Sequence, residues 1–180
     1  MKAVALFCLR FLFIMPVCLV TWWLVLPWYA WCLGHIAEAL LSAFSSMPVQ
    51  EVRVVRAGIL NTGTSLTFVL DHAKPSIQVA GVVSNLAPYV ALVLATRSLP
   101  LRRRLAALAI GSGILWLGHQ AYVTLALVFS SQIQAHPAAP RALGELFITL
   151  PFLLWIVLAS WHHHPGDVAH HVESGGSAPK

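Results

Sequence analysis

The chain has 180 residues, of which 58% are hydrophobic and only 9% are charged, and its mean hydropathy is +0.78. This composition excludes an ordinary soluble domain and indicates one compact integral membrane protein. The net charge of +5 does not indicate nucleic-acid binding, because the basic residues flank apolar runs instead of lining a polar face, so anionic lipid headgroups are the expected partner.

The first apolar run predicts a retained transmembrane helix at residues 4–31. It is longer than the core of a signal peptide, and no small-residue cleavage site follows it closely. Pro16 predicts a kink in this span, and Pro27 marks its outer end. Aromatic side chains gather where the helix leaves the bilayer and predict an interfacial belt, formed by Trp22, Trp23, Trp28, Tyr29 and Trp31.

Residues 32–77 predict an insert on the exported side. Apolar residues at helical spacing over 31–45 predict a helix that lies along the membrane surface. Runs rich in Val, Ile, Thr and Phe at 51–60 and 65–71 surround the turn-forming sequence Asn61, Thr62 and Gly63, which predicts a small β-hairpin. Residues 76–79 either add a third strand or begin the second membrane helix.

Three further spans are predicted at about 78–96, 105–131 and 142–161. Four arginines between the second and third spans indicate a cytoplasmic anchor under the positive-inside rule, namely Arg97, Arg102, Arg103 and Arg104. The predicted fold is therefore an all-α membrane bundle of four transmembrane helices, with an interfacial helix and a small extracytoplasmic β-hairpin between helices 1 and 2. Residues 1–161 form its single domain, residues 162–180 form a disordered, histidine-rich cytoplasmic tail, and both termini are cytoplasmic.

Polar side chains within or near the predicted spans are the candidates for a functional role. His119 and Gln120 lie near the middle of the third span, Asn85 lies in the second, and Glu145 lies one turn into the fourth. Polar groups in a membrane normally face other helices. They predict either interhelical hydrogen bonds that fix packing or a relay, and packing is the favoured interpretation because no second intramembrane carboxylate accompanies them.

Other chemical signals are weak. Cys32 and His35 share a helix face, but Cys-x-x-His recurs by chance, and His35 with Glu38 fits a solvated interface. The tail histidines at 162–164, 170 and 171 are a metal candidate by composition, but a disordered tail with weak or incidental binding is the favoured interpretation. Phosphate-binding loops, zinc-hydrolase helices and nucleophile-elbow serines are absent from the sequence. The sequence therefore predicts no catalytic residue, no cofactor and no metal site.

The sequence NLAPYVALVLAT at 85–96, the arginine cluster and LAALAIG at 105–111 resemble the small integral membrane proteins associated with exosortase H. The tryptophan-rich first helix and the β-like insert at 52–70 are also similar to that family's layout. The resemblance implies an inner-membrane accessory protein that works beside an intramembrane, transpeptidase-like enzyme. The enzyme's own Ala-Cys-Ser-Gly-like motif is absent, so no catalytic residues are carried over.

Two functional hypotheses follow. In the first, the chain is a non-enzymatic accessory protein of a protein-sorting system, and its hairpin and lateral helix faces dock onto another membrane protein, with an exosortase as the expected partner. In the second, it is a small transporter or membrane enzyme that uses His119, Gln120, Glu145 or the His35 and Glu38 pair. The second hypothesis requires these side chains to meet around a shared polar cavity.

Overall fold

The computed structural model describes residues 2–44, 49–71, 73–97, 99–129 and 138–160. The helices are α1 (Lys2–Phe44), α2 (Ala80–Val83), α3 (Leu86–Ala95), α4 (Leu101–Val128) and α5 (Ala138–Ser160). The strands are β1 (Val49–Val55), β2 (Ser65–Leu70) and β3 (Ser76–Gln78), and a single 3₁₀ turn covers Ile59–Asn61. The predicted tail at 162–180 lies outside the described residues.

Helix α1 continues without interruption through both of its prolines. The prediction of a separate interfacial helix over residues 31–45 is therefore wrong, because residues 31–44 are the C-terminal end of α1. Pro27 has no N–H, so it leaves the carbonyl of Trp23 without its usual partner four residues later. The side-chain amide of Asn61 donates to that carbonyl at 3.3 Å. A partner from outside the helix thus compensates for the missing bond, and the helix does not end there.

The β-hairpin prediction is confirmed, and residues 76–78 add the third strand of an antiparallel sheet with the order β1-β2-β3. The sheet packs its inner face on the outer half of α1, where Leu66 and Phe68 are fully buried. On the outer face, Arg53 donates to the Glu51 carboxylate at 2.6 Å, and this hydrogen bond lowers the pKa of Glu51. Alternation of apolar and polar residues along β1 and β2 produces these two faces.

Close contact between the sheet and α1 depends on Gly34. A Cβ atom placed on Gly34 would lie 2.7 Å from Cγ1 of Val52 and 3.1 Å from Cδ2 of Leu66. Only a residue without a side chain allows the two elements to approach this closely.

Helices α1, α3, α4 and α5 pack together as a bundle. Among the described residues, one helix is long and apolar enough to cross a membrane, over Val4–Phe44, whereas Ala80–Ala95 and Glu145–Ala159 are shorter apolar helices. The predicted second span begins later than expected because Gln78 ends β3, and the helix is interrupted between α2 and α3 at Ser84 and Asn85. Three of the four arginines belong to the first turn of α4, not to a loop.

Candidate functional site

The most distinctive polar feature of the interior is a chain of hydrogen bonds that connects all four helices of the bundle. We call it the polar centre, and it consists of Tyr29 on α1, Asn85 immediately before α3, His119 on α4 and the backbone carbonyl of Phe147 on α5. His119 is fully buried and Asn85 is 6% exposed. Buried polar groups need hydrogen-bond partners, and here the partner of each group comes from a different helix or its end.

Proline explains why the chain of bonds ends at Phe147. Pro151 lies inside α5, four residues after Phe147, and cannot donate a hydrogen bond to the Phe147 carbonyl. The Asn85 side-chain amide donates to this carbonyl at 3.0 Å. The arrangement repeats the pairing of Asn61 with the Trp23 carbonyl that Pro27 frees.

The direction of the remaining hydrogen bonds follows from that contact. A carbonyl can only accept, so the Asn85 amide nitrogen faces Phe147 and its oxygen faces His119. Nε2 of His119 lies 2.8 Å from Oδ1 of Asn85 and therefore carries the proton. Nδ1 of His119 then accepts from the Tyr29 hydroxyl at 2.7 Å. The geometry describes a neutral imidazole with both nitrogens engaged.

Aromatic rings enclose the polar centre. The rings of Tyr29 and Phe147 pack on His119 with centroid distances of 5.9 Å and 5.7 Å, and Tyr122 meets Phe147 edge-on at 5.8 Å. Beside them, α4 and α5 border an apolar groove with a volume of about 270 Å³. The groove is lined by small and apolar residues that include Gly118, Ala121, Leu125 and Leu146.

The other predicted polar residues do not join the hydrogen bonds described for this centre. Gln120 is 6% exposed, and both atoms of its amide are buried without a hydrogen-bond partner in the described part of the chain. Glu145 is exposed on α5, two residues before Phe147. His35 is engaged elsewhere, since its Nδ1 donates to the Trp31 carbonyl at 3.0 Å. Within the described ranges, no group of three or more His, Cys, Asp or Glu side chains could hold a metal ion.

The arginines lie at the N-terminal end of α4, whereas the polar centre lies in its C-terminal half. Arg97, Arg102 and Arg103 are exposed, and Arg104 is partly buried and donates to the Leu99 carbonyl at 3.2 Å. Residue 119 follows Leu105 by 14 positions, which separates them by about 21 Å along a helix. The charged end of α4 and the polar centre are thus well separated along the helix.

Two further side-chain contacts fix the bundle. The Tyr89 hydroxyl donates to the Ala107 carbonyl, and its ring occupies space that exists only because residue 111 is glycine: a Cβ there would lie 1.9 Å from the Tyr89 oxygen. Nε1 of Trp155 donates to Oγ1 of Thr96 at 2.9 Å, and the Trp155 ring stacks on Phe7 at 5.5 Å.

Sequence reasoning missed Tyr29, which was assigned to the aromatic belt, and the Phe147 carbonyl. The signal for Phe147 is present in the sequence, because an intrahelical proline always frees the carbonyl four residues earlier. Applied to Pro27 and Pro151, this rule identifies the backbone carbonyls of Trp23 and Phe147 as hydrogen-bond acceptors that lack their usual intrahelical donor. No comparable signal identifies Tyr29 as the partner of His119.

Comparison with known protein families identifies the family of this chain. The sequence model for exosortase H-associated membrane proteins covers residues 1–146. The chain belongs to this family. No curated protein and no solved structure matches the chain. The predicted family resemblance is thus confirmed, and the family's description makes this chain a membrane protein associated with exosortase H.

Proposed function

We propose that this exosortase H-associated protein is a non-enzymatic accessory protein that docks onto a membrane-embedded, sortase-like enzyme. The proposal rests on one observation, which is that the polar centre is hydrogen-bonded entirely to groups of its own chain. Both nitrogens of His119 and both polar atoms of the Asn85 side chain are engaged by groups of the same chain. A general base or ligand needs a free lone pair facing a substrate, whereas these groups hold helices together.

The proposed topology is a multi-pass inner-membrane protein with both termini in the cytoplasm. In this arrangement α1, α2 with α3, α4 and α5 cross the bilayer, and the sheet stands on the exported side. The arginines in and before the first turn of α4 support this orientation, as does the position of the sheet on the far end of α1. The short connection between α3 and α4 supports an antiparallel hairpin.

The groove between α4 and α5 is the proposed docking surface. Its lining is apolar and includes Gly118 and Ala121, so another helix could approach closely. Small residues favour such contacts between helices in a bilayer, where van der Waals packing drives association. A transmembrane helix of the enzyme is the proposed occupant, because the family is described by its association with a membrane enzyme.

Co-purification with exosortase H from the same genome tests this proposal. The wild-type chain, tagged and co-expressed with the enzyme, is expected to recover it in mild detergent. Ala121→Trp fills the groove and is expected to reduce recovery about tenfold, equivalent to about 1.4 kcal/mol. Ala109→Trp is the matched control, because Ala109 is an exposed alanine on the same helix outside the groove.

The outcomes separate the two parts of the proposal. Failure of the wild-type chain to recover the enzyme would overturn the accessory role. If both tryptophan variants reduce recovery equally, or if neither reduces it, the association with the enzyme stands, but the groove is overturned as its site. Each variant is first checked for monodisperse elution and wild-type helical content.

A further inference from the structure

The connection between β1 and β2 ends in an apolar tip that is held beside the membrane-crossing part of α1. We call residues 58–61 the hairpin tip. Ile59 is 85% exposed and Leu60 is 40% exposed, although both are large and apolar. Gly58, Leu60 and Asn61 adopt positive φ angles of 76°, 55° and 64°. The tip thus directs the apolar side chain of Ile59 away from the rest of the protein.

The position of the tip along α1 identifies that environment. The Asn61 amide donates to the Trp23 carbonyl at 3.3 Å, which fixes the tip at the level of Trp23. Apolar side chains on both sides of Trp23 along α1 face outward, since Val17, Val20, Leu24 and Val25 are all more than 40% exposed. A helix surface this apolar is stable in the hydrocarbon layer, not in water.

The aromatic belt supplies an independent measure of depth. Trp28 is 70% exposed and Trp31 is 51% exposed, and tryptophan prefers the headgroup region. These residues follow Trp23 by five and eight positions, which is about 7 Å and 12 Å farther out along the helix. The hairpin tip therefore lies at the deepest level of the aromatic belt, that of Trp22 and Trp23, whereas Trp28 and Trp31 lie farther out.

We propose that the hairpin tip inserts into the adjacent leaflet, so that Ile59 contacts lipid acyl chains. Arg56 is exposed three residues before Ile59, on the side toward the sheet, where lipid phosphates lie. Its guanidinium complements their negative charge. The sheet thus has two attachments to the membrane region, the packing against α1 and the inserted tip. This placement does not depend on any protein partner or on which side of the membrane the sheet occupies.

Spin-label accessibility of the full chain in nanodiscs of phosphatidylethanolamine and phosphatidylglycerol tests the proposal. Cys8, Cys18 and Cys32 are replaced by alanine, and a nitroxide is attached to Ile59→Cys. The label is expected to collide several-fold more often with oxygen, which concentrates in acyl chains, than with a water-soluble nickel chelate. Lys74→Cys, an exposed position on the β2–β3 connection, is the control and is expected to favour the nickel chelate.

A second measurement uses no spin label, so the nitroxide cannot affect its result. Photoactivatable lipids with a diazirine in the acyl chain are expected to form adducts on the peptide of the unmodified chain that contains Ile59. Equal nickel accessibility at residues 59 and 74, or lipid adducts absent from that peptide while α1 is labelled, would overturn the insertion.

Discussion

At the residue scale, asparagine side chains complete backbone hydrogen bonding that proline disrupts. The Asn61 side chain donates a hydrogen bond to the carbonyl freed by Pro27, and the Asn85 side chain donates one to the carbonyl freed by Pro151. In a bilayer no water is present to satisfy such a carbonyl, so a polar side chain from a neighbouring element is the available solution. The two asparagines thereby connect elements that are far apart in sequence.

The pairing of Asn85 with Pro151 predicts energetic coupling between them. Asn85→Leu removes the donor to Phe147 and the acceptor for His119, and is expected to cost about 1–3 kcal/mol of unfolding free energy. Pro151→Ala restores an N–H that the Phe147 carbonyl can use within its own helix. The cost of Asn85→Leu should therefore fall by about 1 kcal/mol in the Pro151→Ala background. Thermal unfolding in detergent measures this cycle, and strictly additive effects would contradict the pairing.

Gly111 predicts a second effect at this scale. Gly111→Ala places a methyl group into the Tyr89 ring and is expected to destabilise the bundle by about 1–3 kcal/mol. Gly113→Ala is the matched control, because no atom lies within 4 Å of its added Cβ. The control is expected to be neutral or to stabilise the helix by up to about 1 kcal/mol. Comparable melting temperatures for the two variants would exclude the close approach of Tyr89 to α4.

At the element scale, hydrophobic patterning predicted the strands well and the helix boundaries less well. Runs rich in Val, Ile, Thr and Phe at 51–60 and 65–71, with turn-forming residues between them, located β1 and β2, although β1 ends at Val55. Proline and a change of pattern suggested that the first helix ends near residue 31. The helix continues because Asn61 and the sheet pack on its outer half. Such tertiary compensation is invisible to reasoning from local sequence.

The same limit applies to the candidate site. Sequence reasoning selected His119 and Asn85 because polar residues are costly inside a membrane, and the two lie 2.8 Å apart through Nε2 and Oδ1. It also selected Gln120, which has no hydrogen-bond partner in the described ranges. Adjacent positions on a helix point in different directions, and only the arrangement of the neighbouring helices decides which one finds a partner.

Contact between the sheet and α1 predicts a distinct response to substitution of Gly34. Gly34→Ala is expected to push β1 away from the helix, since its Cβ would lie 2.7 Å from Val52. Amide hydrogens of β1 and β2 should then exchange about tenfold faster, equivalent to about 1.4 kcal/mol of local opening. Gly81→Ala, whose Cβ would meet no atom within 4 Å, is the control. Unchanged exchange in the Gly34 variant would show that the sheet tolerates greater separation.

At the scale of the whole molecule, the charge distribution predicts opposite accessibility for the two ends of the bundle. Cys32 is exposed on the C-terminal half of α1. In intact spheroplasts a membrane-impermeant maleimide should modify Cys32. It should not modify Arg103→Cys in a background where the native cysteines are alanine, until the membrane is permeabilised. Mass spectrometry of the labelled protein measures both, and the reverse pattern would invert the proposed orientation.

Helix α1 also has a mechanical consequence. Its 43 residues extend for about 65 Å, whereas the hydrocarbon layer is about 30 Å thick. In the proposed topology, roughly half of this rod therefore projects beyond the hydrocarbon layer, and the sheet packs on that half. Any change of bilayer thickness that tilts the rod must swing the sheet sideways, so the lipid composition of the membrane would set the sheet's position relative to neighbouring proteins.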